Sequence, residues 1–258
     1  MDKLKAIKVI RKKLLNNRQS IGSWIQIPNS SVAEIIGQMG FEWVAVDMEH
    51  GAVSLSQLPD IFRALELGNT LPLVRLSQGE EKECKQALDA GAAGVIIPMV
   101  NDANKLKKII NFCRWPPAGK RGVGFSRANI FGHKFDHYKH EAQQTLIVAM
   151  IEDLVAVNNL ESILSVKGLD AVLIGPYDLS ASMNLMGKFS NKRFKKIIQK
   201  ILNLSKKYKV SAGIHIVEPS KLIVKEITGQ GYQFIACGMD TIMIQDSAKK
   251  YLSSFKKK

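Results

Sequence analysis

Eight short runs rich in branched aliphatic residues recur along the chain, and the stretch after each is long enough to hold a crossover helix. The runs are Ile21–Ile27, Trp43–Asp47, Leu71–Arg75, Gly94–Pro98, Leu146–Ile151, Ala171–Ile174, Ser211–Ile214 and Phe234–Ala236. Between them, apolar residues take helical spacing over Val32–Met39, Ser56–Leu67, Glu80–Ala90, Asp102–Phe112, Val155–Leu164, Phe189–Tyr208 and Pro219–Thr228. Met1–Arg18 adds a leading helix and Asp240–Phe255 a closing one. Strands that alternate with helices pair in parallel, because the helix carries the chain back to the starting edge. Eight such units predict one closed α/β domain, a single (β/α)8 TIM barrel over residues 1–258. An open doubly wound sheet is the alternative, but no GxGxxG turn follows the first run, which argues against a dinucleotide site.

Composition narrows the function classes. With 46% hydrophobic and 23% charged residues the chain has the balance of a globular domain. No apolar run approaches the ~20 residues that span a bilayer. The Lys-rich start lacks an apolar segment with a small-residue cleavage site, so a cytoplasmic location with no membrane association is expected. The formal charge of +14 raises nucleic acid as a partner. The positive residues are mostly lysines, however, spread over helices and crowded at the ends without interleaved aromatics. A solvated basic surface that favours anionic substrates is expected instead. Cys84, Cys113 and Cys237 form no CxxC pair and are expected to be free thiols. The long segment Arg114–Glu141 interrupts the alternation and is expected to be a lid or a subunit contact. Its His133, His137 and His140 are expected on an exposed helix or loop rather than around a metal.

In a parallel barrel the chemistry gathers at the C-terminal ends of the strands, where the βα loops converge. Asp47-Met48-Glu49-His50-Gly51 ends the second run, Arg75 the third, Glu152-Asp153 the fifth, Gly175-Pro176-Tyr177-Asp178 the sixth and His215 the seventh. Asp153 reads equally as a helix cap, and His215 reads as a structural histidine. Glu152 and Asp178 are a donor set for a hard divalent ion such as Mg²⁺ or Mn²⁺, which would polarise a bound α-keto acid and stabilise its enolate. Arg75 can pair with a carboxylate or a developing oxyanion. His50 can move the proton, with Asp47 or Glu49 orienting it. The amides of Tyr177 and Asp178 would face an anionic carboxylate. A Schiff-base aldolase would need a lysine on a strand, and none of the eight runs has one.

These residues belong to an ordered set of motifs. It comprises Gly22-Ser23-Trp24, Gly40-Phe41-Glu42-Trp43, Asp47-Met48-Glu49-His50, Pro72-Leu73-Val74-Arg75, Ala87-Leu88-Asp89-Ala90-Gly91, Ile97-Pro98-Met99-Val100, Arg121-Gly122-Val123-Gly124, Ile151-Glu152 and Gly175-Pro176-Tyr177-Asp178-Leu179-Ser180. Over about Gly22 to Gly238 the chain resembles the HpcH/HpaI aldolase and citrate lyase family. The resemblance implies a phosphoenolpyruvate/pyruvate-type barrel with an exchanged C-terminal helix. It implies a class II aldolase that reversibly cleaves a 4-hydroxy-2-keto acid to pyruvate and an aldehyde with Mg²⁺, Mn²⁺ or Co²⁺. It also implies a homo-oligomer, either a trimer or a hexamer built as a trimer of dimers, with sites that borrow residues across a subunit border. By the same resemblance Glu152 and Asp178 match the metal ligands, His50 the region of the catalytic base, and Arg75 the contact to the pyruvate oxygen. Asp47 and Asp89 match acidic positions that support the histidine. Trp24 and Gly175-Pro176-Tyr177-Asp178 are assigned to the substrate pocket. Two positions depart from the family: Met150 stands where many members have Gln, and Tyr177 where many have Ala or Ser. The competing readings are a lyase of a citryl- or malyl-type CoA thioester, and a non-catalytic basic barrel that binds nucleic acid or a protein partner. No segment clearly supplies a nucleotide site for the first, and the intact set of Glu152, Asp178, Arg75 and His50 argues against the second.

Overall fold

The computed structural model of the chain describes residues 1–255 and closes the eight expected strands into one parallel barrel, ordered β1 to β8. They are β1 (Ser20–Ile25), β2 (Trp43–Asp47), β3 (Leu71–Arg75), β4 (Gly94–Ile97), β5 (Leu146–Ile151), β6 (Ala171–Ile174), β7 (Ser211–Ile216) and β8 (Phe234–Met239). Closure is made by β1 on β8, with Ser20 opposite Phe234 and Gly22 opposite Ala236. Because side chains alternate across a strand, the barrel holds two cores. One fills its interior with Trp24, Trp43, Leu71, Leu73, Ile96, Leu146, Leu173 and Phe234. The other lies between the outward strand faces and the helices. In the interior, Trp43 and Phe234 stack with ring centres 4.1 Å apart and planes 2° from parallel. A Cβ on Gly22 would lie 2.1 Å from the Trp43 ring, so only glycine leaves room for that stack.

α1 (Lys3–Leu15) crosses the N-terminal end of the barrel and adds Ile7, Ile10 and Leu14 to the interior core. α2 (Ser30–Gly37), α3 (Leu58–Leu67), α4 (Glu81–Asp89) and α5 (Ala103–Cys113) follow the first four strands. Asn29 and Asp102 cap α2 and α5 by accepting two backbone N–H bonds each. After β5 the expected single helix Val155–Leu164 is two: α7 (Leu154–Asn158) and α8 (Leu160–Leu164). Asn159 separates them, its amide donating to the Asn101 carbonyl. After β6 comes α9 (Pro176–Ser182), which helical periodicity did not predict because seven residues hold barely two turns. α10 (Lys192–Tyr208), α11 (Lys221–Gln230) and α12 (Asp240–Ser253) complete the order, once α6 (Phe135–Glu141) is placed before β5.

The last two helices lie loosely on the barrel. α11 buries only Ile227 and α12 only Asp240, leaving Leu222, Val224, Ile244, Tyr251 and Leu252 exposed.

The long segment 114–141 joins the end of α5 to the start of β5, which puts it at the end of the barrel opposite the mouth. Arg127 donates to the Ala90 carbonyl and Glu66, and Glu141 pairs with Lys3 of α1. Trp115, Ala128, Tyr138 and Ala142 give the segment a small core of its own. It therefore cannot be a lid over the mouth of its own barrel, which corrects that expectation. His133, His137 and His140 are exposed on it, as the sequence suggests. Cys84 and Cys113 are buried free thiols and Cys237 is half-buried. Among the described residues no helix is long and apolar enough to cross a membrane.

Candidate active site

The parity that turns Trp43 and Ala45 into the barrel turns Asp47 inward at the end of β2. On β3 the same rule carries Leu71 and Leu73 to Arg75, and from β5 it carries Val148 and Met150 to Glu152. The uppermost inward layer is thus polar where the layers below are apolar. It sits at the C-terminal mouth.

Asp47 and Arg75 form the most tightly built part of this layer. Arg75 Nε donates to Asp47 Oδ1 at 2.8 Å and Nη2 to Oδ2 at 2.6 Å, a two-point pair. Oδ1 also accepts the backbone N–H groups of Glu49 and His50, and Oδ2 accepts the Gln26 amide at 2.9 Å. Burial would raise the Asp47 pKa, but the Arg75 hydrogen bonds and charge outweigh it and hold the carboxyl below its usual range. The Arg75 guanidinium lies 4.8 Å above the Trp24 ring, a cation–π contact that fixes its plane. Its Nη1 reaches Glu49 Oε2 at 3.0 Å. That contact is an ion pair without hydrogen-bond alignment, so Glu49 Oε2 stays a buried acceptor without a donor.

Glu152 is buried and accepts the Met99 N–H at 2.8 Å. Met99 holds that geometry in the left-handed region, at φ 49°. A Cβ on Gly175 would lie 2.6 Å from Glu152 Oε1, so the glycine leaves the carboxylate its place. Burial, and after it the charges of Glu49 and Asp178, push the Glu152 pKa up to about 7, with the Met99 N–H and Arg75 opposing. Asp178 stands in the first turn of α9, behind Gly175 as N-cap and Pro176 as the first helical residue. The free amides of Tyr177 and Asp178 belong to that same turn. Tyr177 is exposed and meets Phe189 edge to face at 5.0 Å. The mouth therefore gathers three carboxylates, Asp47, Glu49 and Glu152, around one guanidinium, with the exposed Asp178 near enough for its charge to act on Glu49 and Glu152.

His50 is open, with 62% of its side chain exposed and Nε2 4.0 Å from Glu49 Oε2. Its imidazole has Glu49 as carboxylate neighbour, while Asp47 reaches it through the backbone N–H alone. Asp89 is not part of the cluster within one chain. It ends α4, far from the mouth, with Arg121 and Lys85 as its charged neighbours. Sequence reasoning missed Gln26, although its even spacing from Gly22 and Trp24 marks it as inward-facing. The depth of Glu49 in the cluster was also illegible, since its closest partners come from other strands.

Across nearly its whole length the chain matches a known family: residues 20–246 fit the HpcH/HpaI aldolase/citrate lyase profile. It is 32% identical over 253 residues to the hydroxypyruvate/pyruvate aldolase of Roseobacter denitrificans, covering 97% of this chain and 98% of that protein. It is 33% identical over 239 residues to the 2-keto-3-deoxy-L-rhamnonate aldolase of Salmonella gallinarum, covering 92% of this chain and 88% of the relative. Among solved structures, an HpcH/HpaI aldolase/citrate lyase family protein from Burkholderia cenocepacia superposes with a TM-score of 0.89 at 25% identity, covering 95% of this chain and 98% of that one. The chain belongs to the HpcH/HpaI aldolase/citrate lyase family. Its relatives support an enzyme of this aldolase family.

Proposed function

We propose that the chain is a divalent-metal-dependent aldolase that reversibly cleaves a 4-hydroxy-2-keto acid to pyruvate and an aldehyde. The observation that carries this reading is the carboxylate-rich mouth, in which burial and two neighbouring carboxylates raise Glu152 to about 7. Such a site is short of positive charge. Burial also raises the Glu49 pKa despite the opposing charge of Arg75, which points the same way. Among the described residues no three His, Cys, Asp or Glu side chains form a ready-made metal cage. A two-carboxylate site suits a hard ion whose remaining positions are filled by water and substrate oxygens. Mg²⁺, Mn²⁺ or Co²⁺ held by Glu152 and Asp178 would supply Lewis acidity at the keto oxygen.

The chain's own residues account for the rest. Arg75, fixed in plane by Asp47 and Trp24, donates to the oxygen on which negative charge develops. His50, open to the mouth and beside Glu49, takes the proton of the C4 hydroxyl as the C3–C4 bond breaks. The amides of Tyr177 and Asp178 face the substrate carboxylate, with Gly175 and Pro176 setting the turn. A part for Asp89 requires a second copy of the chain, as do the exchanged helix and the trimer or hexamer that the family resemblance implies.

The test combines metal binding with two reactions. Calorimetry should show Mn²⁺ or Mg²⁺ binding by the wild type, and its loss in Glu152→Ala and Asp178→Ala. Wild-type protein with metal should exchange the methyl protons of pyruvate and consume pyruvate with at least one member of an aldehyde panel. Both activities should vanish in the two variants. A protein that binds metal yet neither exchanges nor consumes pyruvate would sink the proposal.

A further inference from the structure

His215 has an inward position at the mouth that the reaction above does not use. Ala212 and Ile216 of β7 lie in the outer core, so Ser211, Gly213 and His215 face the barrel axis, with His215 uppermost. Its ring lies 5.5 Å from that of Trp24, the residue that carries the Arg75 guanidinium. Arg75 and Asp47 are the charged groups that act on it. It therefore lines the same cavity as the cluster, on the β7 side.

Its hydrogen bonding fixes what it can offer. Nε2 lies 3.2 Å from the Gly238 carbonyl oxygen. A carbonyl only accepts, so Nε2 carries the hydrogen, and in a neutral ring Nδ1 is left as an acceptor. Neutrality follows from the setting: burial, with Arg75 nearby, drives the pKa down to about 4. Among the described residues no donor reaches Nδ1, nor is that atom one of the enclosed, unpartnered ones. The β7 side of the mouth thus presents an open hydrogen-bond acceptor beside the Arg75–Asp47 pair. Met150, the inward residue below Glu152, brings no polar group to compete.

We propose that His215 determines specificity, its Nδ1 accepting a hydrogen bond from a substrate hydroxyl on or beside the reacting carbon. That hydroxyl can sit on the keto acid, as in hydroxypyruvate, or on the aldehyde, as in glycolaldehyde. A methyl or hydrogen in its place leaves the lone pair unpaired in a half-enclosed site, which disfavours the unhydroxylated substrate. The proposal rests on the aldolase reading of the same mouth.

Two arms separate the sources. In the first, kcat/KM is measured for hydroxypyruvate against pyruvate with one fixed aldehyde. In the second, glycolaldehyde is compared with acetaldehyde at fixed pyruvate. The wild type should favour the hydroxylated member in one arm, and His215→Leu should lower that ratio at least about tenfold. His215→Asn, whose Oδ1 stands near the place of Nδ1, should keep the ratio within about threefold. In wild-type protein with ¹⁵N-labelled histidine, the favoured hydroxylated substrate should shift the Nδ1 resonance of His215 and its counterpart should not. This readout decides the matter should His215→Leu fail to fold. Equal ratios in wild type and His215→Leu in both arms, or a silent Nδ1 resonance, overturn the role of His215. If pyruvate methyl exchange persists in that case, the aldolase reading stands. If wild-type protein neither exchanges nor turns over pyruvate, both fall.

Discussion

Asp47 is saturated by its partners: both oxygens bind Arg75, and the remaining lone pairs take Gln26 and the amides of Glu49 and His50. A carboxylate so engaged orients its neighbours rather than trading protons, and the less satisfied Glu49 is left beside the imidazole. Gly175 acts by what it lacks. In Gly175→Ala the new methyl meets the carboxylate and Cγ of the buried Glu152, so divalent-ion affinity should fall at least about tenfold while stability drops by no more than the about 1–3 kcal/mol of overpacking. Calorimetry beside a thermal melt checks both halves. His215 carries a pH signature with a definite sign. Its folded pKa, about 4, lies below the ordinary 6.5, so folding favours the neutral ring. The associated stability is present above pH 6.5 and is lost as pH falls toward 4, amounting to at most ~3 kcal/mol. Urea midpoints at pH 7.5 and pH 4.5 should show the wild type losing that much relative to His215→Asn. An unchanged difference would mean that the ring is not held neutral.

Among the elements, the strands follow side-chain alternation and the helices follow their caps. β2 and β3 end on an inward charged residue, Asp47 and Arg75, while β5 and β6 stop just before the inward Glu152 and Gly175. The Trp43–Phe234 stack spans β2 and β8, two strands apart on the barrel, and depends on the bare backbone of Gly22 between them. In Gly22→Ala the added methyl meets a rigid indole in a packed interior, where overpacking costs about 1–3 kcal/mol. The melting temperature should drop and the near-ultraviolet tryptophan signal should change. A variant with wild-type stability would show that the ring can move aside. α9, which carries the proposed ligand Asp178, was the least legible element. Its seven residues start at Pro176 and bring Asp178 back over the mouth after β6.

For the whole molecule, the barrel has unlike ends. α1 and the segment 114–141 cover the N-terminal end with buried ion pairs, Lys3 with Glu141 and Arg127 with Glu66. The opposite end stays open as the mouth. Among the described residues, apolar side chains of α11 and α12 such as Leu222, Ile244, Tyr251 and Leu252 stay exposed, and the proposed exchange of the C-terminal helix with a second copy would cover them. Full-length protein should therefore behave as an oligomer in light scattering, and Ile244→Glu with Leu252→Glu should shift it toward smaller species. A wild-type monomer at micromolar concentration would count against an exchanged helix.

Period-two alternation and helical spacing are local properties, so the sequence alone determined the eight strands, their parallel pairing and the inward direction of Asp47, Arg75 and Glu152. The same locality explains what it left open. Which carboxylate neighbours His50, that Gln26 and Trp24 hold Arg75 in place, and that His215 shares the cavity all depend on groups brought together from different strands. The place of segment 114–141 follows instead from chain order, between α5 and β5, and its ion pairs with α1 and α3 hold it at the closed end. Strand parity points a side chain inward, but barrel closure decides what it meets there.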